Sequence, residues 1–297
     1  VTLSAGSVDI TLETGDNDGT ASNASISGVN TIPFTYTVEE DHTTSSLSVS
    51  SVAVTGGSVT DAAGNALSAA PSIPVGGNLN NATIFVIEAT RPTISAVTST
   101  TADGTYKVGD DINITMEFDE SVTLSGGTLD LTFDLVSTDQ SLNVSTFSNS
   151  NSTTATYTVQ EGDSASTLSI GSIVLGSGAT LTDVVDINPN AMTNFTPTTT
   201  LASAHAIAID GVLPTITSVT STTDDGSYSV GENVNVTVRF YERVTLSGGD
   251  LVITLETGGT DQTVSISSIS SSMTASGTYT VQSGDESSAL EVKSVAL

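Results

Sequence analysis

The stretch Val122-Thr-Leu-Ser-Gly-Gly-Thr-Leu-Asp-Leu-Thr decides the fold, because the chain contains three versions of it. It returns 122 residues later as Val244-Thr-Leu-Ser-Gly-Gly-Asp-Leu-Val-Ile-Thr, and a third version, Val1-Thr-Leu-Ser-Ala-Gly-Ser-Val-Asp-Ile-Thr, opens the chain. A fixed period of this size indicates copies of one domain in series. We therefore predict a first copy at 1–89, a middle copy at 90–211 and a last copy at 212–297.

Within each copy, apolar residues alternate with polar ones. In the middle copy Ile112, Ile114, Met116 and Phe118 follow this alternation. A period of two is typical of strands that turn one face to a core and the other to water. Clusters of Gly, Asp, Asn and Ser separate the runs, as hairpin turns require. The predicted strands of the middle copy are 92–100, 111–120, 128–136, 141–147, 154–160, 166–175 and 204–210. The segment 176–203 is its least regular part.

Short alternating strands of this number in about 120 residues favour a β-sandwich of immunoglobulin type. The predicted fold class is therefore all-β, with tandem immunoglobulin-like (Ig-like) β-sandwich domains in a linear array. The middle copy is complete, whereas the first copy lacks its first strands and the last copy lacks its last strand. Two explanations stay open: the chain is a window on a longer protein, or its open sheet edges accept a strand from a neighbouring subunit.

The composition limits the partners. The chain has 33 acidic and 5 basic residues and a formal net charge of −28. This excludes nucleic acid as a partner, because phosphate binding needs Lys and Arg, and it argues against anionic lipid. Without a run of apolar residues about 18 long, we expect no membrane insertion. The Lys-poor, Ser/Thr-rich composition favours an extracellular or cell-surface protein.

Enzyme chemistry finds little support in the sequence. His42 and His205 are the two histidines, neither recurs in another copy, and cysteine is absent, which excludes a thiol nucleophile. No Gly-x-Ser-x-Gly elbow lies between a strand and a helix. A pair of carboxylates that acts as in glycosidases stays an alternative, but acidic residues that recur in every copy fit a structural role better. The prediction is therefore that the chain is not an enzyme.

The strand directions bring acidic residues from two neighbouring copies to each joint. The candidate ligands are Asp41 (or its neighbour Glu40), Glu88, Glu120 and Asp183 at the first joint, and Asp103, Asp163, Asp210 and Glu242 at the second. Carboxylates that converge without Lys or Arg repel one another unless a cation lies between them. Calcium takes about six to eight oxygen ligands in flexible geometry, so we predict interdomain Ca²⁺. The alternative is that these are turn residues whose side chains bond nearby backbone.

Several motifs carry a family resemblance. They are Pro92-Thr-Ile-Ser-Ala-Val-Thr-Ser-Thr-Thr, Asp103-Gly-x-Tyr-x-x-Gly, Ile112-x-Ile-x-Met-x-Phe-x-Glu120 and Tyr157-Thr-Val-Gln-x-Gly-Asp163. With them, the chain resembles the tandem Ig-like, cadherin-like repeats of large bacterial surface adhesins and extracellular fibres. Asp61-Ala-Ala-Gly-Asn65 fits that family's Asp-x-x-Gly-Asn loop, whereas the middle copy departs from it at Asp183-Val-Val-Asp-Ile. The resemblance implies a stalk or fibre domain, often rigidified by calcium at the joints.

The predicted function is that of a non-enzymatic extender repeat, which spaces or stiffens an extracellular adhesin or surface filament. Its expected partners are neighbouring repeats or subunits of the same protein, and the sequence does not identify an adhesion ligand. One alternative is a self-assembling filament or surface-layer subunit that polymerises by strand exchange. Another is a ligand-binding module that uses the 176–203 segment.

Overall fold

A computed structural model of the protein describes residues 1–68, 70–136, 138–184 and 189–297. The chain divides into two compact units, Val1–Asp210 and Gly211–Leu297. The predicted boundary between the first and middle copies lies inside the first unit, where each copy has a core of its own. In the part of the chain that the structure describes, no helix has the length and apolar character to cross a membrane.

The first copy is built of short antiparallel strands. Its elements are β1 (Thr2–Leu3), β2 (Ser7–Glu13), β3 (Gly19–Asn23), β4 (Thr43–Thr44), β5 (Ser48–Thr55), β6 (Val59–Thr60), α1 (Leu79–Ala82) and β7 (Ile87–Glu88). Strand β2 lies between β3 and β5, while β1 pairs with β6 and β4 pairs with β7. Val8, Ile26 and Val59 form the buried centre of this copy.

The middle copy is a sandwich. Its elements are β8 (Ile94–Thr98), β9 (Gly104–Lys107), β10 (Asp111–Ser125), β11 (Leu129–Asp134), β12 (Ser141–Val144), β13 (Phe147–Thr158), β14 (Ser164–Ala165), β15 (Ser169–Leu175), β16 (Thr180–Asp183), α2 (Leu201–Ala204) and β17 (Ile207–Asp210). Strand β10 pairs with β8, β13 and β16, and β11 pairs with β12 and β15. Strand β17 joins β14 on one side and runs parallel to β9 on the other.

The alternating residues of the sequence form the core of this sandwich. Ile112 and Ile114 of β10 are buried, and so are Leu129, Leu131 and Phe133 of β11, which belongs to another sheet. All of them belong to one hydrophobic cluster. Burying a side chain of this size contributes about 1.5–3 kcal/mol, so the two apolar faces account for the pairing of the sheets. The predicted all-β fold with Ig-like sandwiches is confirmed.

Strand β10 is longer than the predicted strand 111–120. It continues to Ser125, and its pairing with β13 shifts register between Glu117 and Val122. Such a β-bulge bends a strand locally. Strand β13 stays paired with β10 on both sides of the shift, whereas on the other edge β8 pairs with the first half of β10 and β16 with the second half. Glu120 lies inside this irregular stretch at a position with the same parity as the buried residues, and it is partly buried.

The segment 176–203 is more regular than its sequence indicates. It contains β16 and α2, and Leu181, Met192 and Leu201 are buried in the core of the middle copy. The sequence does not reveal β16, because Thr180-Leu-Thr-Asp carries a single apolar residue. The predicted ligand-binding role of this segment includes residues 185–188, which lie outside the described residues.

The last copy repeats the pairing of two sheets of the middle copy, the one around β10 and the one around β11. Its strands are β18 (Ile216–Thr220), β19 (Asn233–Leu246), β20 (Leu251–Glu256), β21 (Gln262–Ile266), β22 (Ile269–Thr280) and β23 (Glu291–Ala296). Val234 faces Tyr279 across β19 and β22, just as Ile112 faces Tyr157 across β10 and β13. The two copies therefore share strand register as well as sequence.

Candidate functional site at the first joint

Side chains from two copies meet where the first copy ends and the middle copy begins. Glu88 ends β7 of the first copy, and Asp183 ends β16 of the middle copy. Asn190 lies seven residues after Asp183. We call Glu88, Asp183 and Asn190 the joint clasp.

The side chain of Asn190 is the centre of the clasp. Its Nδ2 lies 2.8 Å from Asp183 Oδ2, 3.0 Å from Glu88 Oε2 and 3.2 Å from the Glu88 backbone oxygen. Its backbone N–H donates to Asp183 Oδ1 at 3.1 Å. An amide has two side-chain donors, so one of them is shared between acceptors. The hydrogen bonds to carboxylates are charge-assisted, and they connect the first copy to the middle copy.

Arg91 makes a second connection between the copies. Its Nε donates to Glu40 Oε1 of the first copy at 3.1 Å, and its Nη1 donates to the Ala191 backbone oxygen of the middle copy at 2.7 Å. The two side chains of the ion pair are 38% and 62% exposed. A pair this open contributes at most about 1 kcal/mol, so its main effect is to fix geometry.

The Asp–Asn pair of the clasp also occurs in the first copy. Asn65 donates its backbone N–H to Asp61 Oδ1 and its Nδ2 to Asp61 Oδ2, both at 2.8 Å. These bonds hold the pKa of Asp61 below its ordinary value. The middle copy therefore keeps the aspartate and the asparagine of the Asp-x-x-Gly-Asn loop, but it has a longer spacing and has Pro189 in place of the glycine. Sequence reasoning with a fixed spacing misses Asn190.

Acidic groups crowd the same place. Burial first, and then the negative charges of Asp183, Glu88 and Asp119, raise the pKa of Glu120 to about 7. The structure thus brings together Glu88, Glu120 and Asp183 of the first predicted ligand set. Asp41, the fourth member, lies before β4 with a left-handed φ of 66°, and its N–H donates to the Ala89 backbone oxygen.

Asp163 of the second predicted set is engaged inside its own copy. Its Oδ2 accepts hydrogen bonds from the Tyr157 hydroxyl and the Gln160 N–H, and its Oδ1 accepts one from Gln140 Nε2 at 3.1 Å. We call these contacts the tyrosine–aspartate clamp. Burial and the bond to Asp163 raise the pKa of Tyr157.

The clamp recurs in the last copy and in altered form in the first. Asp285 accepts from Tyr279 and, at 3.0 Å, from Gln262 Nε2, and burial raises the pKa of Tyr279 to about 12. In the first copy the Tyr36 hydroxyl bonds to Nδ1 of His42 instead. This position therefore stabilises each copy from within.

The other members of the second predicted ligand set, Asp103, Asp210 and Glu242, lie in different local environments. Asp103 Oδ1 accepts from the Ala206 N–H at 3.1 Å and lies 3.2 Å from His205 Nδ1. Asp210 ends β17, where it faces Lys107 in the parallel pairing with β9. Glu242 lies in β19 of the other unit.

Across the described ranges, no group of three or more His, Cys, Asp or Glu side chains is arranged to hold a metal ion. The acidic neighbourhood of Glu120 includes Glu88 and Asp183. The Asn190 amide donates hydrogen bonds to both of these carboxylates but carries no charge that would neutralise them. Calcium binding stays a prediction.

The raised pKa of Glu120 predicts a pH dependence. Between its ordinary value of 4.5 and about 7, the folded protein binds more protons than the unfolded chain, so stability falls as pH rises through this window. Glu120→Gln should flatten this slope and stabilise the first unit above pH 7 by roughly 1 kcal/mol after solvent screening. Urea unfolding at pH 5 and pH 8 measures the effect.

The matched control is Glu117→Gln, which changes an exposed residue of the same strand. It should leave the difference between pH 5 and pH 8 at the wild-type value. Equal slopes for the two variants would contradict the electrostatic assignment of Glu120.

Comparisons with known proteins do not identify a family for the chain. No protein-family model matches the sequence, and no curated protein matches it. The crystal structure of the FN1–FN3 domains of chicken CNTN1 is similar over 92% of this chain and 78% of that chain, with 9% sequence identity and a TM-score of 0.26. A similarity at this level carries no argument about function, and the fold assignment rests on the strand pairing and cores described above.

Proposed function

We propose that the chain is a non-enzymatic structural segment of an extracellular adhesin or surface filament, in which tandem sandwiches space or stiffen a surface fibre. The observation that supports this most is that the polar residues that recur between copies make hydrogen bonds inside their own copy. Tyr157 and Asp163 hold the middle copy together, and Tyr279 and Asp285 do the same in the last copy. What the repeat preserves is therefore the architecture of a domain, as a spacer requires.

The surface charge supports the extracellular part of the proposal. A net charge of −28 keeps a long chain soluble and disfavours contact with nucleic acid and anionic membranes. The proposed partners are therefore neighbouring repeats or subunits of the same protein.

Immunogold labelling tests this function. Antibodies against the purified chain should label the outside of intact source cells, at a distance from the cell boundary. Labelling that appears only after permeabilisation would overturn the proposal. Antibodies absorbed with the purified chain serve as the control for specificity.

Interdomain calcium is the finer part of the proposal. If Ca²⁺ binds beside Glu88, Glu120 and Asp183, EDTA should lower the melting temperature of the chain and Ca²⁺ should restore it. Binding that retains the folded state shifts the melt by mass action. Glu120→Gln should reduce the shift, and an identical melt in EDTA and in Ca²⁺ would rule the ion out.

A further inference from the structure

We propose that Asn190 and Arg91 form a docking surface on the middle copy that recognises the acidic end of the preceding copy, and that this contact fixes the orientation of the two copies relative to each other. The inference deepens the proposed structural function and rests on it for its purpose. It requires no metal ion.

The first step is the chemistry of the two surfaces. The first copy presents carboxylates and a carbonyl, on Glu40 and Glu88, whereas the middle copy presents N–H donors on Arg91 and Asn190. Asp183 and the Ala191 carbonyl of the middle copy accept hydrogen bonds from part of these donors. Arg91 Nε and the second Asn190 amide hydrogen depend on the first copy, so a neutral or basic end would leave them without acceptors.

The second step concerns the linker between the two copies, residues 89–93. Several of its residues make hydrogen bonds to neighbouring carboxylates. Thr90 donates its N–H to Glu88 Oε1 at 2.9 Å. Thr93 donates its N–H and its hydroxyl to Asp119 at 2.8 and 2.7 Å. Between them Pro92 has a restricted φ, and its ring disfavours the helical conformation for Arg91. Because hydrogen bonds hold the linker on both sides of Pro92, it has little freedom to bend.

The third step is a contrast in sequence with the second linker. The residues 122 positions after Thr90, Arg91 and Asp119 are Val212, Leu213 and Tyr241. The Thr90 hydroxyl also donates to Glu88 Oε1, and a valine at that position keeps the backbone N–H but has no hydroxyl. Leu213 has no guanidinium to match Arg91, and Tyr241 has no carboxylate to match Asp119, so the side-chain anchors of the first linker are missing. The side chains that tie the first linker are therefore particular to that joint and are not a general property of the repeat.

The experiment transfers the residues of the second linker to the first. The full chain contains no cysteine, so Thr20→Cys and Asn151→Cys, both at exposed strand positions, place one spin label on each copy. Pulsed electron paramagnetic resonance then measures the distance distribution. The wild-type background should give one narrow distribution, which T90V/R91L/D119Y should broaden by about twofold, because inter-domain motion is the default without a firm interface.

A second variant keeps the proposal testable if T90V/R91L/D119Y fails to fold. Asn190→Ala removes only the clasp amide and should also broaden the distribution, with an unchanged far-ultraviolet circular dichroism spectrum. Asn194→Ala is the matched control, because that side chain bonds within its own loop to the Thr196 N–H; it should leave the width unchanged. All distances are measured in EDTA.

Two results would overturn the inference. One is a wild-type distribution already as broad as that of T90V/R91L/D119Y. The other is a narrow distribution that survives both T90V/R91L/D119Y and Asn190→Ala. Neither result bears on surface labelling, so failure of the coupling and failure of the proposed function can be told apart.

Discussion

Asp163→Ala is expected to destabilise the middle copy by about 3–5 kcal/mol, because it removes a buried charged acceptor from three donors. Asp163 is 1% exposed. Its loss leaves the Tyr157 hydroxyl and the Gln140 amide without the acceptor that they share. Tyr157→Phe, which removes one donor and keeps the carboxylate, should cost about 1–3 kcal/mol. Urea unfolding of the full chain measures both losses.

Asp134→Ala is the control for Asp163→Ala, because Asp134 is an exposed aspartate of the same copy. Its effect should stay within about 0.5 kcal/mol of wild type. The measurement also separates two roles. The clamp needs no ion, so the loss should be equal in EDTA and in Ca²⁺; a loss seen only in Ca²⁺ would show that Asp163 is a ligand, as the sequence hypothesis has it.

Gly126→Ala is expected to destabilise the middle copy by about 3 kcal/mol, through backbone strain and a steric clash together. Gly126 belongs to the Leu-Ser-Gly-Gly stretch and has a φ of 76°. A Cβ at this position would lie well inside van der Waals distance of the Gly178 backbone oxygen. The turn after β10 therefore has no room for a side chain.

Gly109→Ala isolates the two causes. Gly109 lies in the same copy and has a similar φ of 85°, but a Cβ there meets no atom within 4 Å. It should cost only about 1 kcal/mol, the price of a left-handed alanine. Urea unfolding of the full chain compares the two variants, and equal losses would contradict the steric part of the argument.

The strands of the cores could be predicted from the sequence because their signal is local. The alternation of Ile112, Ile114 and Met116 is visible without knowing any partner, and Leu129 and Leu131 repeat it on the other sheet. The residues 122 positions later show the same alternation, so the same strands are predicted for the last copy. These residues are buried as the alternation requires.

The parts that could not be predicted depend on partners distant in sequence. Asn190 meets Glu88 across 102 positions, and an insertion displaces it from the spacing of Asp61 and Asn65. Strand β16 shows too few apolar residues to be recognised alone. For Asp163 a signal did exist: Tyr157 lies six residues before it, as Tyr279 lies before Asp285, and a tyrosine that recurs with an aspartate indicates a pair.

The parallel pairing of β9 and β17 has a consequence for a chain under load. Tension that enters the middle copy through its first strands and leaves after Asp210 pulls these two strands in opposite directions along a common axis. The four residue pairs between these strands are then loaded in shear at the same time and are not broken one after another. They are Gly104–Ile207, Thr105–Ala208, Tyr106–Ile209 and Lys107–Asp210. A domain joined in this way yields to force all at once, and until that point it transmits tension almost without lengthening.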